Sequence, residues 1–155
     1  MKRWGYWILA VLAVSALSGR SAAGTDVAKL RPVEVVSITC VEGQIQVRTD
    51  TGDGGIGENL KAAIQNLQDT TPAEVFLDTA EYLLIDADCK ELMEELMGYL
   101  RPSCGVCMVE GNPELEKVAA YLKIHQPTAT LRKFKAGMTE LQTLKVAEGR
   151  MELVS

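Results

Sequence analysis

Residues 82–124 read YLLIDADCKELMEELMGYLRPSCGVCMVEGNPELEKVAAYLKI, and they decide the architecture. Residues 82–85 are strand-like. Asp86 then stands where a helix N-cap belongs. Leu92, Met93, Leu96, Met97 and Leu100 recur at helical spacing, with Glu91, Glu94 and Glu95 on the opposite side. Arg101-Pro102 stops that helix, because proline disfavours helix in the residue before it. A second short strand follows over 104–109. Asn112-Pro113 reads as an N-cap followed by proline at the first helical position, and Leu115, Val118, Ala119 and Leu122 give the next helix its inner stripe. Strand, helix, strand, helix at these lengths predicts an α/β sheet with packed helices, parallel wherever a helix makes the crossover.

The same grammar extends outward. Residues 33–39 are apolar and β-branched, and 44–49 alternate Ile45 and Val47 against Gln46 and Arg48, so the two predict a hairpin turned by Glu42-Gly43. A glycine-rich turn over 51–57 leads to a helix over 58–69, striped by Leu60, Ala63, Ile64 and Leu67. Residues 75–77 and 82–85 read as two short strands or one interrupted strand. Residues 131–135 suit a short helical turn, and 144–154 one or two strands. The predicted order is ββαβαβα with a C-terminal strand, α/β in class with α+β as the alternative, on a mixed sheet.

The first twenty-three residues address the compartment. Lys2 and Arg3 precede an apolar run over 7–17, and Ser21-Ala22-Ala23 supplies small residues for cleavage. That order is a secretory signal peptide. The run is short for a hydrocarbon core of about 30 Å, so a retained N-terminal membrane anchor is the second reading. The expected organisation is a signal peptide or anchor over 1–23, a polar leader over 24–32, and one α/β domain over 33–155. The expected location is extracytoplasmic, secreted or tethered to the outer face of the cytoplasmic membrane.

Charge narrows the partners. The chain carries sixteen basic and twenty-one acidic side chains. Losing residues 1–23 removes Lys2, Arg3 and Arg20 and no acid, which leaves about −8 by the same count. Such a surface repels phosphate backbones and anionic lipid, so no nucleic acid is expected. The sequence shows no basic run to offset it.

Four motifs invite chemistry. Gly52 to Gly57 spell G-x-G-x-x-G after a strand and before a helix, with Asp78 at the end of the next strand about twenty residues on. Asp50 and Asp53 stand where a pyrophosphate needs room, and a solvated turn explains the glycines, so no cofactor is expected. Asp50-Thr51-Gly52 matches the triplet of aspartic proteases, but the dyad needs a second carboxylate and the chain has no second triplet. As a calcium loop it fails at position twelve, which is Lys61. Cys104-Gly105-Val106-Cys107 matches C-x-x-C, whose redox form places the first cysteine at a helix N-terminus. On a strand the two thiols face opposite ways, Cys104 with Val106 and Met108, Cys107 with Val109. That arrangement suits neither a shared zinc nor a dithiol, and the lone His125 reads as a helix C-cap. No catalytic or metal residue is expected, and Cys104 with Cys107 is the alternative redox pair. Cys40, Cys89, Cys104 and Cys107 allow three pairings in an oxidising compartment, and spacing does not choose among them.

Four further runs carry a resemblance: GENLKAAIQNL over 57–67, YLLID over 82–86, YLRP over 99–102 and CGVCMVEGNPELEKV over 104–118. In pattern and order they resemble the N-terminal domain of spore germination receptor C-subunits, the Ger(x)C or GerAC-like proteins. That family carries an acylated cysteine directly after the signal peptide and further domains behind this one. Here no cysteine precedes Cys40, and only the first domain's pattern is matched. The resemblance implies a non-enzymatic component at the membrane surface, working by protein–protein contact, with membrane subunits of a germination receptor as partners. It carries over no catalytic residue. The alternative is an exported thiol-active protein.

Overall fold

Residues 30–155 are described by a computed structural model. The strands are β1 Leu30–Pro32, β2 Val35–Val41, β3 Gln44–Thr49, β4 Gly54–Gly57, β5 Glu74–Phe76, β6 Tyr82–Ile85, β7 Gly105–Glu110, β8 Gln142–Ala147 and β9 Arg150–Val154. The helices are α1 Leu60–Thr70, α2 Met93–Leu96, α3 Leu115–Ile124 and α4 Leu131–Lys135, with 3-10 segments at Leu77–Thr79 and Ala87–Leu92. Seven strands form one sheet in the order β4-β3-β2-β6-β7-β8-β9, and β1 pairs with β5 in a separate parallel ribbon.

The centre of the sheet, β2-β6-β7-β8, is parallel, and an antiparallel hairpin closes each side. The fold is thus α/β on a mixed sheet, as the strand–helix alternation requires. All of β6 is buried. Leu83 and Ile85 pack toward α1 and the segment around α2, while Tyr82 and Leu84 pack toward α3. A parallel strand covered on both faces must be apolar at every position, which is why residues 82–85 carry no polar break. The stripes of α1 and α3 are buried at the positions their spacing indicates.

The β2–β3 and β8–β9 hairpins turn on the same dipeptide. Glu42-Gly43 has φ of 52° and 79°, and Glu148-Gly149 has φ of 51° and 75°. Two successive positive φ values in a two-residue loop are the type I′ turn, whose twist matches that of the strands it joins. The tail is therefore a complete hairpin, β8–β9.

Several local expectations are corrected. The leader expected over 24–32 ends in β1, whose backbone pairs with β5; residues 1–29 lie outside the described residues, and with them the signal peptide or anchor expected over 1–23. Half of the glycine-rich turn is a strand, β4, antiparallel to β3. Its glycines are there because α1 lies against it. A Cβ on Gly55 collides with the backbone at Ala63 and Leu67, and one on Gly57 with that at Ala62 and Ala63. Residues 75–77 and 82–85 belong to different sheets. The helix expected after Asp86 is a 3-10 segment leading into a single α turn, and the Asp86 side chain makes no cap bond. Asn112 does not cap α3 either. Its Oδ1 accepts from Arg48 Nη1 at 2.8 Å, and the helix begins two residues beyond Pro113 with Glu114 at the cap.

Candidate functional site

Cys104 and Cys107 bracket the start of β7, the strand between β6 and β8. Side chains alternate along it. Cys104 and Val106 belong to the core under α1 and α2, with Met108 packed against them, whereas Cys107 and Val109 belong to the core under α3. Both sulfurs are free and fully buried. Burial pushes each thiol up to about 12; Arg101 opposes the rise at Cys104, and Cys104 adds to it at Cys107. A thiolate is the species that attacks disulfides and binds metals. Near neutral pH these two groups hold their protons, one on each side of the sheet.

The other two cysteines are joined. Cys40, near the end of β2, is bonded to Cys89 in the 3-10 segment after β6, with Cα atoms 5.7 Å apart. The bridge sits at the C-terminal end of adjacent parallel strands, the edge at which open α/β sheets take their ligands. Of the six bonds that four cysteines can form, the fold makes one, and it completes none of the three full pairings because Cys104 and Cys107 stay free.

The glycine turn is tied into the scaffold. Asp50 Oδ1 accepts from the backbone N–H of Glu34 at 3.0 Å and of Val35 at 3.1 Å, so this carboxylate fixes the start of β2. Thr51 Oγ1 donates to Asp53 Oδ2 at 2.7 Å, and the Asp53 carbonyl accepts from Thr49 N–H at 2.9 Å. Of the glycines from Gly52 to Gly57, only Gly52 has positive φ. Helix α1 is capped instead by Asn59, whose Oδ1 accepts from Ala62 N–H at 2.9 Å. Asp78 lies in a 3-10 turn rather than at a strand end. The G-x-G-x-x-G and D-T-G patterns thus coincide with a strand and a turn built for packing.

His125 does occupy the C-cap of α3, where its backbone N–H reaches the Tyr121 carbonyl. Its ring stacks on Tyr121, centroids 4.5 Å apart, in place of the carbonyl contact expected of the imidazole.

Open clefts dent the surface formed by the described residues. One of about 230 Å³ lies where β6 and β7 begin, between Glu81, Arg101, Ser103 and Gln126. Arg101 Nε donates to the Ala80 carbonyl at 3.0 Å, and its Nη2 is 3.7 Å from Glu81. A second, about 260 Å³, separates the Asp50 turn from Glu114 and Glu116. The third, about 290 Å³, runs between Ile64, Phe76, Leu77 and Tyr99. None of the three is lined by Cys104, Cys107 or His125. Among the described residues no group of three or more His, Cys, Asp or Glu side chains is placed to hold a metal ion, and no helix is long and apolar enough to cross a membrane.

Sequence reasoning missed one surface. Residues 117–139 contain no acid and five cations, Lys117, Lys123, Arg132, Lys133 and Lys135. The cations are spread over two helices with a loop between them, so no contiguous run announces them. An acid-free window twenty-three residues long in an acidic chain was the available signal.

Compared with protein-family models, with characterised proteins and with solved structures, the chain matches none.

Proposed function

We propose that this chain is an exported α/β interaction domain, acting outside the cytoplasm by contact with protein partners at or near the membrane surface. The observation that carries the reading is the Cys40–Cys89 bridge. Disulfides persist in oxidising compartments and are rare where thiols are kept reduced. The leader over residues 1–23 points to the same side of the membrane. Resemblance to the first domain of germination receptor C-subunits supplies the kind of work: docking against membrane subunits, without turnover of a substrate.

The test follows the protein in a host that exports it. Mass spectrometry of the extracytoplasmic fraction is expected to find Cys40 and Cys89 linked and Cys104 and Cys107 alkylated only after unfolding. Chemical cross-linking is expected to join the protein to an integral membrane protein. Recovery from the cytoplasm with all four thiols reduced overturns the location, and reproducible conversion of a substrate overturns the non-enzymatic role.

A further inference from the structure

We infer that the acid-free stretch ending in α4 is a docking surface for an anionic lipid bilayer, laid against the headgroups at the end of the molecule where the chain leads in from its N-terminal segment. The inference goes further than the interaction role above and rests on its extracytoplasmic, membrane-proximal placement.

Charge is the first ground. The whole chain is −5, so the five cations of residues 117–139 leave −10 on everything else. Two of the five are neutralised: Lys117 pairs with Glu114 at 2.8 Å and Lys123 with Glu34 at 2.6 Å. Among the described residues, Arg132, Lys133 and Lys135 pair with no carboxylate, and all three are exposed. Lys133 Nζ donates to the Thr128 carbonyl at 3.1 Å, which folds its charge back over the 125–130 loop. Juxtamembrane cations of this kind are drawn to anionic headgroups within a Debye length.

Exposed apolar surface is the second. Ile124 at 79% and Met138 at 76% are the most exposed large apolar side chains among the described residues, and both lie in this one stretch. Leu131 is buried and Phe134 packs on the core, so α4 is anchored from below while its cations and Met138 stay outside. Cations interleaved with protruding apolar side chains are the chemistry of an interfacial contact, in which apolar groups enter the headgroup boundary and basic groups meet phosphate.

Position is the third. The Leu131 N–H donates to the Cys104 carbonyl and the Arg132 N–H to that of Pro102, which sets α4 at the start of β7. The Lys123–Glu34 ion pair joins the last turn of α3 to the residue just before β2. The described chain therefore leads in beside this surface, and residues 18–29 are all that separate β1 from the apolar run over 7–17. A retained leader would bring this end to the bilayer.

The test is co-sedimentation of the full chain with vesicles of phosphatidylglycerol and phosphatidylcholine, against phosphatidylcholine alone. The apolar leader contributes to both, so the readout is the ratio. The wild type is expected to prefer the anionic vesicles by on the order of a hundredfold at low salt, the sum of three cations, and to lose most of that preference at high salt. R132E/K133E/K135E abolishes the preference, whereas R132K and K133R/K135R keep it. I124S/M138S lowers uptake on both vesicle types, and near-UV circular dichroism checks that each variant is folded. Equal ratios for wild type and the triple glutamate variant overturn the inference. So does a charge-dependent dimer in sedimentation velocity, or tight binding to duplex DNA, without lipid preference. Export and disulfide formation are read in the separate experiment above, so failure here leaves that reading standing.

Discussion

Replacing Cys40 and Cys89 together by alanine cuts the one covalent tie between β2 and the segment after β6. The bridge closes a loop with a sequence separation of 49. In the chain-entropy model that closure removes about 14 cal/mol/K from the unfolded ensemble, or about 4 kcal/mol at 25 °C. A domain of this size has about 5–15 kcal/mol in all, so the variant loses a large fraction of its stability. With a urea slope of about 2 kcal/mol/M, the midpoint falls by about 2 M. The slope itself rises, since an untied unfolded chain exposes more surface. The assay is equilibrium urea unfolding of three species: the oxidised protein, the same protein with dithiothreitol, and the C40A/C89A variant. The reduced protein and the variant are expected to unfold together, well below the oxidised form. Cys89 is 1% exposed, so any gap between those two reports the packing of its sulfur. A variant whose midpoint stays within about 0.3 M of the oxidised protein refutes the claim that loop closure stabilises this fold.

Other outcomes follow from the same geometry. Cys104 and Cys107 hold their protons up to about 12, whereas in the unfolded chain they ionise near 8.5. Between those values the native state binds more protons, so their contribution is complete below about pH 8.5 and declines as pH climbs toward 12. Tyr82, raised mainly by its own burial, works in the same direction. Denaturant midpoints taken from pH 8 to 11 should show the decline, and C104A/C107A should flatten it. Gly55→Ala drives a methyl into the backbone of α1; a loss of about 2 kcal/mol or more is expected by urea unfolding, as for overpacking at a site that cannot yield. The outer strands are sealed by helix side chains: Ile56 N–H donates to Asn66 Oδ1 at 3.0 Å, and Leu153 N–H donates to the Tyr121 hydroxyl at 3.2 Å. N66A/Y121F uncovers those edge groups, and light scattering should detect faster aggregation at equal native content, because unpaired strand edges template association.

The parts of the fold that were legible in the sequence are those where one physical demand acts alone. Residues 82–85 must be apolar because both faces of β6 are covered, and α1 and α3 must carry stripes because each packs one side. The unread parts answer to two demands at once. β4 is written in glycine because a strand must pass beneath a helix backbone, and glycine ordinarily signals a turn. Asn112 has the side chain of a cap, but Arg48, sixty-four positions earlier, claims its oxygen. The segment after Asp86 has helical spacing, yet Cys89 is bonded across to Cys40, and Leu92 and Met97 stay half-buried where a regular helix would hide them. Of the motifs with chemical associations, the C-x-x-C spacing was interpretable because strand alternation alone decides where two sulfurs three residues apart can point. The cationic stretch was not, since its members are divided between α3 and α4, which pack against different cores.

The placement of Cys104 and Cys107 on either side of β7 bears on how the polypeptide acquires its covalent form. Once that strand is seated, its own backbone stands between the two sulfurs: Cys107 is on the far face from Cys40 and Cys89, and Cys104, on their face, lies at the opposite end of the parallel strands. A chain oxidised after the sheet has assembled thus has one product open to it. A chain oxidised earlier has six first bonds open to it, and five of them engage a sulfur that β7 needs on the inside. For a molecule maturing among oxidants, the race between strand assembly and sulfur chemistry decides the yield.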